Sequence, residues 1–131
     1  MLGVDWDPND VGTPAVDVLA LAADEIGNLY AGTAGRGVYG LRPDEAEWRQ
    51  LRVGLEKATV TALEVFDEQV FAGTDDERVM SCTNGGRHWH AVGHFPVDAR
   101  PVRCVALAGD GELFAGTHRG VMRWNAATDA W

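Results

Sequence analysis

The sequence is poor in lysine, in cysteine and in long apolar runs. Lys57 is the one lysine among 11 basic residues, and 20 acidic residues bring the net charge to −9, which argues against nucleic acid or an anionic membrane as a partner. The two cysteines, Cys82 and Cys104, are expected to be free buried thiols in a reducing compartment. No apolar run approaches about 18 residues, and no charged segment followed by an apolar core opens the sequence, so we expect a cytoplasmic protein.

Recognisable catalytic motifs are also missing. There is no Gly-x-Ser-x-Gly, no glycine loop followed by lysine, and no cysteine pair at zinc spacing. The nearest approach to a metal cluster is His88, His90 and His94, which we interpret as solvent-facing histidines of an outer strand. We therefore expect no metal and no cofactor. Paired carboxylates for glycoside hydrolysis stay open, because 20 acidic residues always offer some pair and none is singled out.

What the sequence does contain is a repeat. A phrase of five residues occurs three times, as Leu29–Thr33, Val70–Thr74 and Leu113–Thr117. The tryptophans keep the same period, with steps of 42, 41 and 42 residues between Trp6, Trp48, Trp89 and Trp131. A period near 42 is typical either of four-stranded propeller blades or of helical pairs.

The composition of the repeated segments favours strands. Segments 16–22, 60–65 and 102–108 are short, rich in valine and alanine, and show no apolar spacing of i, i+3, i+4, i+7. Each repeat reads as four strands of an antiparallel meander, with small residues on the inner strands and tryptophan on the outer one, as radially arranged sheets require. The prediction is an all-β chain of three four-stranded blades at about 16–53, 58–93 and 101–131; a small β-sandwich is the alternative.

Two stretches carry a family resemblance. Residues 82–89, Cys-Thr-Asn-Gly-Gly-Arg-His-Trp, resemble the Asp-box turn of BNR repeats, with Asn84 in the place of the aspartate. The third repeat, with Phe114-Ala115-Gly116-Thr117, is similar to the repeat of two-component-regulator-type sensor propellers. Both resemblances imply a β-propeller. Such repeats serve unrelated functions, so they indicate the fold far better than the role.

Three blades make only an arc, whereas closed propellers have about four to eight. Either two chains close a six-bladed ring, which we favour, or the three blades belong to a longer propeller. In the homodimer, residues 1–15 would supply the fourth strand of the partner's last blade, since Trp6 lies three whole periods before Trp131.

The candidate ligand site lies in the connections between the second and third strands. Arg36, Arg78 and Arg119 each precede a third strand, and His118 stands beside the last of them. Repeated around a closed ring, these arginines would surround the tunnel mouth and bind a carboxylate or an acidic peptide. The competing interpretation is that they pair with local acids such as Asp76.

We therefore expect a non-catalytic β-propeller module, for binding or scaffolding, that recognises a protein or a small acidic ligand at the axial face. The alternative is a carbohydrate-binding or sialidase-like glycoside hydrolase fragment, although Tyr30 and Tyr39 are the only tyrosines that could act as its nucleophile. A third option is a fragment with no function beyond assembly.

Overall fold

The computed structural model describes residues 16–51, 55, 57–76, 78–83, 88–93, 101–109, 111–128 and 130–131, and these form three antiparallel sheets. The first sheet holds β1 (Val18–Ala23), β2 (Leu29–Thr33), β3 (Val38–Leu41) and β4 (Arg49–Leu51). The second holds β5 (Val60–Phe66), β6 (Gln69–Thr74), β7 (Val79–Thr83) and β8 (His90–Ala91). The third holds β9 (Val102–Leu107), β10 (Leu113–Thr117) and β11 (Gly120–Arg123). The described part of the chain has no helix, and so none that could cross a membrane.

Each sheet is a meander in which consecutive strands pair. The all-β prediction is confirmed. The third sheet has three described strands, and the fourth strand that a partner chain was expected to add to it stays a prediction. Trp6, Asn84 and the whole segment 1–15 lie outside the described residues, as does the Asp-box-like turn.

The repeat extends to a backbone irregularity. The ladder between the first two strands of every sheet shifts register beside the glycine of the repeated phrase: next to Val18 in β1, next to Val60 in β5, and between Gly116 and Thr117 in β10. A β-bulge bends and twists the strand that carries it. The three sheets are therefore copies of one unit, with the same distortion in the same place.

Glycine and valine set the distance between neighbouring sheets. A Cβ atom on Gly32 would lie 2.7 Å from Cγ1 of Val60, and one on Gly73 would lie 2.6 Å from Cγ1 of Val102. Any side chain at either glycine would push the next sheet away, which explains why the repeated phrase keeps glycine at this position. In this way β5 packs on the first sheet and β9 on the second, so β5 lies next to β1 and β9 next to β5.

Two apolar clusters fill the spaces between the sheets. The cluster between the first and second sheets contains Val38, Leu51, Val60, Met80 and Trp89, and the one between the second and third contains Ala62, Val79, Val102, Val105 and Leu113. Both draw on residues of adjacent sheets. Burial of apolar area in these clusters is the main term that holds the sheets together.

The tryptophans tie each sheet to the one before it. The indole N–H of Trp89, which is buried, donates to the carbonyl of Leu51 at 3.2 Å, and that of Trp131 donates to the carbonyl of Val92 at 2.6 Å. The indole nitrogen of Trp48 is also buried, but none of the described residues accepts its hydrogen. The repeated tryptophan is thus both an apolar filler of the wide outer region and a hydrogen-bonded link between sheets.

The two cysteines differ in environment. Cys82 on β7 is buried, and burial raises the pKa of its thiol to about 12. Cys104 on β9 is exposed, so the prediction that both thiols are buried is wrong for it. It lies beside Gly116 on a face of the third sheet over which no described residue packs, whereas the equivalent Ala62 is covered by β9.

Candidate functional site: the arginine turns

Three equivalent turns lie at one end of the sheets. Each connects the second strand of a sheet to the third: residues 34–37 in the first sheet, 75–78 in the second and 118–119 in the third. The structure places Arg36, Arg78 and Arg119 in these turns, one in each, with His118 beside Arg119. The turns start directly after the repeated phrase, so its threonine is the last residue before each of them.

The threonine of the phrase holds the first turn in shape. The hydroxyl of Thr33, which is fully buried, donates to the carbonyl of Gly37 at 2.8 Å and accepts from the backbone N–H of Arg36 at 3.2 Å. Gly37 has φ +70°, and a Cβ atom there would lie 2.2 Å from the carbonyl oxygen of Leu55, so this position requires glycine. The backbone of Arg36 is therefore fixed while its side chain is exposed.

The third turn repeats this arrangement at the surface. The hydroxyl of Thr117 donates to the carbonyl of Gly120 at 3.0 Å and accepts from the backbone N–H of Arg119 at 3.1 Å. Arg119 and His118 are both exposed. The sequence analysis found the arginines but missed the threonine, although its recurrence before every turn was the available signal.

The second turn adds a carboxylate. The Thr74 hydroxyl accepts from the backbone N–H of Arg78 at 3.2 Å and donates to Asp76 Oδ1 at 2.5 Å. Nε of Arg78 lies 3.0 Å from the same oxygen. Partial burial alone would raise the pKa of Asp76, but the hydrogen bonds from Thr74 and Arg78 outweigh it, and the pKa lies below its usual value.

Arg78 thus follows the competing interpretation, since it pairs with a local acid. Both partners are substantially exposed, so the pair contributes little to stability. The structure has one arginine in each of the three equivalent turns, at three, four and two residues after the phrase threonine, while a ligand shared between the arginines stays a prediction.

A cleft of about 770 Å³ lies at the opposite end of the first two sheets. Its walls come from the turns between β1 and β2 and between β5 and β6, with Tyr30, Arg42 and Arg49 among the lining side chains. Acidic residues also line it, namely Asp24, Glu25, Asp67 and Glu68. The sequence analysis did not anticipate this cleft, because its walls come from two repeats and no motif marks them.

The phenol of Tyr30 is held in its neutral form. Burial raises its pKa, the nearby carboxylate of Asp24 and the thiol of Cys82 add to the rise, and Arg42 opposes it. A tyrosine nucleophile needs the opposite shift. The other tyrosine, Tyr39, is buried in β3.

Among the residues that the structure describes, no three of histidine, cysteine, aspartate or glutamate converge as a metal site would require. His88 and His90 are exposed at the outer edge of the second sheet, and His94 lies outside the described part of the chain.

Comparison with known proteins gives a fold but not a family. No protein-family model matches the chain, and no curated protein matches it. Among solved structures, the extracellular domain of the putative hybrid two-component system BT4673 from B. thetaiotaomicron superposes with a TM-score of 0.73 at 18% identity, over 92% of this chain and 16% of that one.

Two further structures agree with the first. The extracellular domain of the putative hybrid two-component system BT3049 from B. thetaiotaomicron gives a TM-score of 0.68 at 20% identity, over 94% of this chain and 17% of that one. PorZ, a surface component of the type-IX secretion system of Porphyromonas gingivalis, gives 0.59 at 20% identity, over 82% of this chain and 17% of that one. The chain therefore spans about a sixth of the length of each.

The predicted cytoplasmic location is wrong by this comparison. The similar structures are extracellular domains and a surface component of a secretion system, not cytoplasmic proteins. The prediction depended on cysteine usage and on the first residues of the sequence. Neither is informative, because exported proteins of adequate core size need no disulfide, and the first residues of a given sequence do not show whether a leader precedes them. The similar structures are propeller-type domains, and the chain has their fold.

Proposed function

We propose that this chain is a non-catalytic propeller module that recognises a protein or a small acidic ligand through the turns that carry Arg36, Arg78 and Arg119. The observation that carries the proposal is the repeated anchoring of these turns. In each one the arginine backbone N–H is bonded to the threonine hydroxyl that ends the preceding strand. A fixed backbone under an exposed guanidinium is suited to ligand recognition, because little order has to be gained on binding.

A carboxylate is the ligand chemistry that fits these turns best. Guanidinium groups bind carboxylates through two parallel hydrogen bonds, and they keep their charge at any physiological pH. The strongly acidic remainder of the chain would repel an anion elsewhere on the surface, so the arginine turns are the favoured place of contact.

Two features support a module without catalysis. The only tyrosines are unsuited to act as nucleophiles, since Tyr39 is buried and the pKa of Tyr30 is raised. The similar structures described above include extracellular domains of putative two-component systems, and ligand binding without catalysis is compatible with such domains.

The test is a calorimetric titration of the chain with acidic peptides and with small dicarboxylates, carried out at low and at high salt. We expect Arg36→Gln and Arg119→Gln each to weaken binding by about fivefold or more, since a charge-assisted hydrogen bond is lost, and we expect salt to weaken it further. Arg42→Gln is the matched control, because it removes the same charge at the opposite end of the sheets. Binding that falls with the Arg42 variant alone would move the site to the cleft and overturn the proposal.

The cleft favours a second candidate, carbohydrate binding. Phe66 is a partly exposed aromatic ring beside the carboxylates of Asp67 and Glu68, and rings with neighbouring acids suit stacking and hydroxyl recognition. A glycan array separates the two candidates. Specific glycan binding that is lost in Phe66→Ala and kept in Arg36→Gln would establish the second and reject the first.

A further inference from the structure

One contact between a valine and a glycine recurs between neighbouring sheets. Each end of the three-sheet arc carries one half of this contact. Inside the arc this contact forms twice: Val60 of β5 lies on Gly32, and Val102 of β9 lies on Gly73, both valines with 0% exposure. Their equivalent in the first sheet is Val18, which pairs with the phrase threonine as the other two do. Val18 is 45% exposed. Val18 is therefore the valine of such a contact, but none of the described glycines lies beneath it.

The other half lies on the third sheet. In each sheet a valine of the third strand pairs with the phrase glycine: Val38 with Gly32, Val79 with Gly73, and Val121 with Gly116. Val38 and Val79 are 0% and 1% exposed, because each is covered by the following sheet. Val121 is 78% exposed.

The valine at this place in the repeat is therefore buried wherever a following sheet is present, and it is exposed where no following sheet is described. We call the surface with Gly116, Cys104 and Val121 the trailing face, and the surface with Val18 and Trp48 the leading face.

A third observation concerns the tryptophan of the first sheet. Trp89 and Trp131 each donate to a carbonyl of the preceding sheet, three residues after the previous tryptophan. Trp48 has a buried indole N–H that none of the described residues accepts. A buried unpaired donor costs free energy, so we expect an acceptor for Trp48 from outside the described residues.

We infer that the occupant of both faces is a second copy of this chain, joined head to tail, so that Val18 of each copy lies on Gly116 and Val121 of its partner. In a closed ring made only of copies of these three sheets, two copies fit, because closed propellers have about four to eight blades and six is the only multiple of three within that range. The ring would contain two identical heterologous contacts related by a two-fold axis. This inference is independent of the ligand proposal.

The experiment uses opposite charges on the two halves. Val18→Asp and Val121→Lys both alter exposed side chains, so each variant should fold, as circular dichroism would verify. Each places a charge in both contacts of the ring, and we expect either variant alone to associate at least about tenfold more weakly than the unaltered chain. An equimolar mixture should recover the dimer, because one contact is then unaltered and the other pairs aspartate with lysine. Native mass spectrometry distinguishes the mixed dimer from either parent.

Cys104 supplies a second readout. It lies on the trailing face, so its reaction with a thiol reagent should be slow in the dimer and become faster in Val18→Asp, although that substitution is on the other face of the chain. Ile26→Asp is the control, since Ile26 is equally apolar, 76% exposed and outside the repeated contact. It should leave both mass and thiol reactivity unchanged.

Three results would overturn the inference. One is an unaltered chain that is monomeric throughout a dilution series, which would assign the two faces to further blades of a longer protein. Another is a dimer that only one of the two substitutions weakens, because that outcome requires a contact between like faces. The last is a mixture that associates no better than its components.

Discussion

At the scale of single residues, the indole of Trp89 is the side chain that joins two sheets most completely. It is 6% exposed, belongs to the apolar cluster between the first two sheets, and donates to the carbonyl of Leu51. It therefore contributes both buried apolar area and a hydrogen bond across the sheet boundary.

We expect Trp89→Ala to lower the free energy of unfolding by about 3–5 kcal/mol, measured by urea denaturation at fixed protein concentration. Trp89→Phe keeps most of the apolar volume and should lose less, mainly the hydrogen bond to Leu51. Ile26→Ala, at an exposed position, should change little. A decrease below about 0.5 kcal/mol in the free energy of unfolding for Trp89→Ala would contradict the burial of this side chain between two sheets.

The thiol of Cys82 makes stability depend on pH in the alkaline range. Folding raises its pKa from 9.0 to about 12 because burial disfavours the thiolate. Its contribution to stability is complete below pH 9 and is lost progressively as the pH rises from 9 towards 12, at most about 1.4 kcal/mol per pH unit. The free energy of unfolding of Cys82→Ala should therefore fall less steeply above pH 9 than that of the unaltered chain. Parallel curves would show that the thiol is not buried.

At the scale of elements, the threonine that ends each phrase shapes the turn that carries an arginine. Thr33→Val keeps the shape of the side chain but leaves the Arg36 N–H without its acceptor and removes one of the two hydrogen bonds to the Gly37 carbonyl, which still accepts from the Thr33 backbone N–H. Because Thr33 is fully buried, we expect a loss of about 1–3 kcal/mol in the free energy of unfolding. Thr117→Val makes the same change at a surface turn and should cost less than about 1 kcal/mol. Equal losses at the two positions would contradict a burial-dependent role.

The contact between glycine and valine across sheets predicts strong coupling. Gly73→Ala adds a methyl group 2.6 Å from Val102, and we expect the overpacking to cost about 1–3 kcal/mol. Val102→Ala removes the obstructing methyl groups, so the double variant should be more stable than the sum of the single losses requires. A double-mutant cycle by chemical denaturation measures this coupling, and strict additivity would mean that the two residues do not touch.

The strands were predictable because their signal is local and repeated. Valine-rich segments, the five-residue phrase and the spacing of the tryptophans predict three antiparallel meanders, which the structure has. The arginine turns were predictable for the same reason, since each follows the phrase directly.

Other features depend on which sheet covers which, and the repeat alone did not reveal them. Cys104 and Ala62 occupy equivalent positions, yet Ala62 is buried by the next sheet and Cys104 is exposed. The cleft beside Tyr30 is likewise formed by turns of two different repeats. Neighbouring sheets decide these properties, and the pattern within one repeat contains no information about its neighbour.

At the scale of the whole molecule, the valine–glycine contact that joins neighbouring sheets inside the arc is not continued at either end of the described sheets. Val18 and Val121 are exposed where their equivalents are buried, so an exposed valine remains at each end of the described sheets. Exposed apolar patches mark association surfaces. Because the two ends complement each other and differ from each other, the association that we propose is head to tail, with two chains in the ring.

The mass of the unaltered chain in solution, measured by sedimentation equilibrium over a dilution series, tests this account most directly. We predict a dimer of twice 14.1 kDa that dissociates on dilution to a monomer of 14.1 kDa, with no species of intermediate or larger mass. A mass of 14.1 kDa at every concentration, or a ladder of ever larger species without a preferred dimer, would contradict it.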